Sequence, residues 1–123
     1  MNYAESLESC KSKYPFDVWR TYVDDGLEQY NEENCNRAKS IVDELIKSLK
    51  SLGVNSAESE KVALFKIAVE SFNVLNADLD EEFIETGERE DLCELINEIG
   101  KCVGIDTSKY GAGEGLASEW RDW

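Results

Sequence analysis

The segment from about residue 56 to residue 77 limits the fold of this chain more than any other part. Val62, Phe65, Ala68, Val69, Phe72, Leu75 and Leu79 recur at steps of three and four, which places them on one face of a helix. Leu64, Ile67 and Val74 occupy a second side, and Ser59, Lys66, Glu70 and Asn73 leave only a narrow polar strip. A helix that is apolar around most of its circumference needs cover on several sides, because apolar surface left in water costs roughly 25 cal/mol per Å². The pattern therefore predicts a buried central helix with the other elements packed around it. Asn55 followed by Glu58 supplies a capping-box signature for its start.

The flanking sequence reads as helix as well. Tyr3, Leu7, Cys10 and Tyr14 form a short amphipathic stretch that Pro15 ends, and Phe16, Trp19, Tyr22, Val23, Leu27 and Tyr30 continue the period. Gly26 weakens this second element and marks the point at which it would divide. Ala38, Ile41, Val42, Leu45, Ile46, Leu49 and Leu52 make one stripe that closes on Gly53, a residue suited to a left-handed C-cap. A further helix, with Thr86 as candidate N-cap, turns Leu92, Leu95, Ile96, Ile99 and Val103 inward and ends near Gly104. No two-residue alternation marks a strand. The expected fold is all-α, a compact bundle of five to six helices in a single domain over residues 1–123. A glycine-rich connector at about 106–115 leads to a short C-terminal helical segment.

Charge is the second constraint. Between Asp78 and Glu98 ten carboxylates meet one cation, Arg89, so 21 residues carry −9 of the chain's net −14. Glu88, Glu90 and Asp91 suit the first turn of a helix, where the helix dipole favours negative charge. Asp78, Asp80, Glu81, Glu82 and Glu85 do not, since they follow or extend a helix C-terminus, where the dipole opposes them by about 0.3–1 kcal/mol each. Like charges four residues apart add about 0.2–0.5 kcal/mol per pair. This cluster is the candidate partner-binding surface, with Ile84 as an apolar centre, and Glu88 is counted with it. A second acidic group, Asp24, Asp25, Glu28, Glu32 and Glu33, is flanked by Arg20, Arg37 and Lys39 and reads as a solvated face. In the C-terminal segment Trp120 and Trp123 share a helical face, with docking onto the core as one role and aromatic anchoring of a partner as the other.

These features narrow the function. A net charge of −14 disfavours phosphate and anionic membrane partners, and favours cationic ones. No apolar run approaches the roughly 20 residues of a membrane span, and the first residues lack the pattern of a secretory signal. Four scattered cysteines without a CxxC pair or a histidine argue for reduced thiols in a cytosolic protein and against a zinc site. Cys93 and Cys102 read as buried spectators. With no histidine, Ser-His-Asp and Cys-His catalysis are ruled out. Asp24-Asp25-Gly26-Leu27-Glu28 spells the DDxxE pattern of isoprenoid synthases, but this chain is too short for their cavity. Glu82/Glu85 and Glu88/Asp91 are similar to the ExxE and ExxD pairs of all-α nucleotide pyrophosphohydrolases, yet adjacent pairs cannot face each other across two helices. Gly111, Gly113 and Gly115 follow no strand and precede no P-loop lysine.

A compact, acidic chain without catalytic residues resembles in type the small bacterial immunity proteins encoded with toxins. The resemblance implies stoichiometric neutralisation of a basic toxin, such as a nuclease, in the cytoplasm, without a metal or cofactor. Its proposed contacts would be Asp78, Asp80, Glu81, Glu82, Ile84, Glu85, Glu88 and Trp120. A nucleic-acid-mimicking inhibitor of a DNA-binding enzyme and a small magnesium-dependent nucleotide hydrolase are the alternatives.

Overall fold

Three long helices carry the architecture of the computed structural model, which describes residues 1–123 and contains no strand. They are α3 (Glu32–Leu52), α4 (Glu58–Asp78) and α5 (Thr86–Cys102). Shorter helices α1 (Tyr3–Ser9), α2 (Phe16–Arg20) and α6 (Ala117–Trp120) close the bundle, joined in part by single 3-10 turns. No helix is long and apolar enough to cross a membrane.

The stripe read from α3 is realised. Ala38, Val42, Leu45, Ile46 and Leu49 are buried, and the helix stops at Gly53, whose φ of 90° a side-chained residue adopts only with strain. α3 and α4 pair into a hairpin, α1 and α2 lie against α3, and α6 bridges α4 and α5. Gly26 is the divider the sequence suggested: its φ of 89° ends the 3-10 turn that extends α2.

Two boundaries differ from expectation. α4 begins after Ala57, where the Glu60 carboxylate accepts from the Ala57 N–H, so the cap lies two residues beyond Asn55. α5 begins at Thr86 itself, and Glu85 holds the cap position. In both places a glutamate inside the first turn reaches back, a pairing that residue type alone marks less clearly than a Ser or Thr cap.

The expected all-round burial of α4 is only half present. Phe65, Ala68, Val69, Phe72 and Leu75 enter the core, but Ile67 and Val74 are each 61% exposed. Sequence periodicity counts apolar positions on a helix; it does not count how many neighbours arrive to cover them.

The C-terminal segment is docked rather than loose. Trp123 packs on Phe72 with ring centroids 6.4 Å apart, and Asn73 holds the strand-like ending by donating to the Trp120 carbonyl and accepting from the Asp122 N–H. The glycine-rich stretch before it serves close approach. A Cβ at Gly115 (φ 121°) would lie 2.4 Å from the Asn97 amide, whose oxygen accepts from the Leu116 N–H. A Cβ at Gly100 would meet Leu116 at 2.6 Å.

One buried cation ties three elements together. Lys61 is 7% exposed, and its ammonium donates to the Val54 carbonyl at 2.9 Å and the Val103 carbonyl at 3.2 Å, above the Tyr3 ring at 5.8 Å. It supplies donors to carbonyls just past the ends of α3 and α5, where helix geometry leaves acceptors unpaired. Lys61→Ala should therefore lower unfolding free energy by about 2–3 kcal/mol in urea titration. Lys61→Met should recover only the packing part of that loss.

Candidate partner-binding surface

The acidic cluster is built on a loop that the core pulls inward at its centre. Leu79 ends α4, and Asp80 and Glu81 both adopt φ of 60° to turn the chain back. The turn is fastened by Asn76, which is buried. Its carbonyl accepts from the Glu81 N–H at 2.8 Å, and its side-chain oxygen accepts from the Ile84 N–H at 2.8 Å. Phe83 then plunges into an aromatic cluster, with ring centroids 5.6 Å from Trp19 and 5.3 Å from Tyr30. It is fully buried, and Trp19 in turn donates its indole N–H to Asp91 at 3.0 Å.

The predicted contact residues separate accordingly. Asp78, Asp80, Glu81, Glu82 and Glu85 are exposed. Ile84 is not an apolar centre of the patch, because it is 6% exposed and part of the core. Glu88 does not join the binding surface: it is 8% exposed, and its carboxylate accepts from the Glu85 N–H at 3.2 Å as the reach-back residue of α5. Burial, together with the Glu88 carboxylate nearby, pushes the Tyr30 hydroxyl well above its ordinary pKa. Trp120 is half-buried and packs against the core, so docking prevails over display. Asp78 pairs with Arg37 across the α3–α4 hairpin at 3.1 Å, which offsets part of the penalty of an anion in the last turn of α4.

What the sequence separated, the fold joins. Gln29 donates its side-chain amide to the Glu82 carbonyl at 3.3 Å, and the Tyr30 hydroxyl donates to the Phe83 carbonyl at 2.9 Å. These two bonds lay the 28–30 turn along the 82–83 segment, 53 residues away. Glu28, Glu32 and Glu33, read from sequence as an ordinary solvated face, thus become neighbours of the acidic loop. Of the cations that flank them in sequence, Arg20 pairs with Asp17 and Asn36 and Lys39 with Asp43, while Arg37 stays at the patch and pairs with Asp78. Seven ion pairs engage only Glu8, Asp17, Asp43, Asp78 and Glu98 among 27 acidic residues. The merged patch consequently holds one internal cation, Arg37, which Asp78 neutralises, and its other carboxylates stay unpaired.

Beside this patch runs an apolar groove between α3 and α4. Glu32, Glu33 and Arg37 line it together with Ile41 and Val74, and Ile41, Leu64 and Ile67 line its continuation along the hairpin. Ser40 and Ser71, both small, keep it open. Ile67 and Val74 lie seven residues apart on the outer side of α4, and their exposure departs from the burial that the sequence pattern predicts. Periodicity gave their common face; only the absence of a covering helix reveals their exposure.

No family model, curated protein or solved structure matches this chain.

The loop geometry makes two checkable statements. Left-handed backbone costs a side-chained residue about 1–2 kcal/mol, part of which glycine's greater unfolded-state freedom offsets. Glu81→Gly should accordingly raise stability by about 0.5–1 kcal/mol, measured by denaturant titration. Phe83→Ala, which empties the aromatic cluster, should lower it by about 3–5 kcal/mol in the same assay.

Proposed function

We propose that this protein binds and neutralises a basic protein partner, in the manner of a bacterial immunity protein, through the merged acidic patch and the groove beside it. The observation that carries this reading is the pair of hydrogen bonds from Gln29 and Tyr30, which bring two acidic segments distant in sequence onto one surface. Concentrated like charge opposes compaction unless a partner or solvent compensates it. Here the fold gathers that charge, and the loop accepts two left-handed acidic residues to display it.

The two parts of the surface have different roles. Glu28, Glu32, Glu33, Asp80, Glu81, Glu82 and Glu85 create a local negative field, which speeds encounter with a cationic partner. Ile41, Ile67 and Val74 supply the apolar contact that slows dissociation, the role that buried Ile84 and docked Trp120 cannot fill. The occupant that fits is a cationic amphipathic element of the partner, its apolar side in the groove and its Lys and Arg towards the carboxylates. A nucleic-acid mimic would spread its carboxylates in a long phosphate-like track, whereas these are gathered at one end of the hairpin. The magnesium-hydrolase alternative draws no support from the site, because Glu88 and Asp91 are engaged in capping and in the bond from Trp19, and no three candidate ligands converge.

Co-expression with the protein encoded beside this chain's gene tests the proposal, neutralisation being read as restored growth and binding as kinetics. Triple reversal of Asp80, Glu81 and Glu82 to lysine should slow association by about 10–100-fold, with most of the salt dependence lost. Ile67→Asp with Val74→Asp should act mainly on the dissociation rate. Unchanged binding by the lysine variant, with its fold intact by circular dichroism, would remove the proposal.

A further inference from the structure

At the far end of α5, two thiols that are 92 residues apart in sequence meet. The Cys10 and Cys102 sulfurs are 3.2 Å apart, and both face the Ser6 carbonyl, at 3.5 and 3.8 Å. Cys10 is the C-cap of α1 and Cys102 the last residue of α5, helices that pack against each other. The other two cysteines have no such partner: Cys35 is fully buried and donates to the Tyr30 carbonyl, and Cys93 lies half-buried on α5. The sequence reading of Cys102 as a spectator is therefore incomplete.

We propose that Cys10 and Cys102 form a covalent modification site, closing to a disulfide by exchange with a low-molecular-weight disulfide of the glutathione class. A disulfide is about 2.05 Å long, so closure from 3.2 Å requires each sulfur to move by only about 0.6 Å. The two exchange steps have different attackers. Cys102, half-exposed, attacks one sulfur of the small disulfide as its thiolate, forming a mixed disulfide and expelling one small thiolate. Cys10 then attacks the Cys102 sulfur and expels the second small thiolate, and the protons from both cysteines pass to the two leaving groups. Two protein thiols are oxidised, and one small disulfide is reduced to two thiols.

This order follows from the surroundings. Cys10 is 3% exposed, and burial, with the Cys102 sulfur beside it, pushes its thiol up to about 12. It is accordingly a poor first attacker and acts only once an adjacent sulfur has been activated. Closure links α1 to the end of α5, locking the N-terminal helix over the bundle. The site lies apart from the acidic patch and does not depend on the partner-binding reading.

The experiment equilibrates the full-length native protein in buffers of rising oxidised-to-reduced glutathione ratio, traps free thiols by alkylation and maps peptides by mass spectrometry. The expected product is a monomer lighter by two hydrogens, with Cys10 and Cys102 peptides linked and Tm raised by about 10 °C or more. Cys102→Ser should abolish the linked peptide and the Tm rise, while Cys93→Ser should keep both. Four free thiols at the most oxidising ratio, a Cys102 mixed disulfide that never resolves, or a link involving Cys35 or Cys93 would each overturn the proposal.

Discussion

Phe83 is the residue on which the rest of this surface depends. Its ring fills a space bounded by Trp19 and Tyr30, and its carbonyl takes the Tyr30 hydroxyl, so one residue anchors the loop by packing and by hydrogen bonding together. A loop this acidic would otherwise gain by moving away from the body of the protein, where its charges could separate. Burial of a phenylalanine contributes about 1.5–3 kcal/mol, enough to hold a short segment against repulsion between exposed carboxylates. Ile84 adds a second apolar tether, and Asn76 holds the backbone between them. The side chains left over, Asp80, Glu81, Glu82 and Glu85, have nowhere to point but outward.

That division of labour explains how so much negative charge coexists with an ordinary core. The carboxylates are solvated, and charges in water at physiological salt are screened over about 8 Å. Repulsion is thus felt between neighbours on the patch, not across the whole molecule. The 13 cations do not relieve it, because most ion pairs form on other faces, such as Lys13 and Lys101 with Glu98. Such exposed pairs contribute little stability in any case. The patch keeps its field at a modest cost in stability.

Much of the fold was legible in the chain. Gly26 and Gly53 are legible as a divider and a C-cap because glycine weakens a helix, and the structure gives both a positive φ that is unfavourable for other residues. The stripe on α3 is legible because burial follows a period of 3.6. The start of α4 is not legible at Ala57, because Glu60 reaches back to a cap that has no side-chain acceptor of its own. Of the candidate site, the carboxylates of the 80–85 loop are legible from their crowding. The burial of Ile84 and Glu88 is not legible there, because nothing in their local sequence records the aromatic cluster or the α5 cap that holds them in; for Trp120 the sequence offers both docking and display, and the Asn73 clamp decides for docking.

By itself the sequence determined an all-helical bundle and a strongly negative surface, since both follow from local quantities: residue spacing along a helix and the sum of formal charges. The tertiary structure alone decided that two acidic segments share one face, that Ile67 and Val74 remain uncovered, and that Cys10 meets Cys102. Each of these outcomes depends on which distant elements pack together. That choice is made by the whole core at once, through shape and burial, and no local run of residues encodes it.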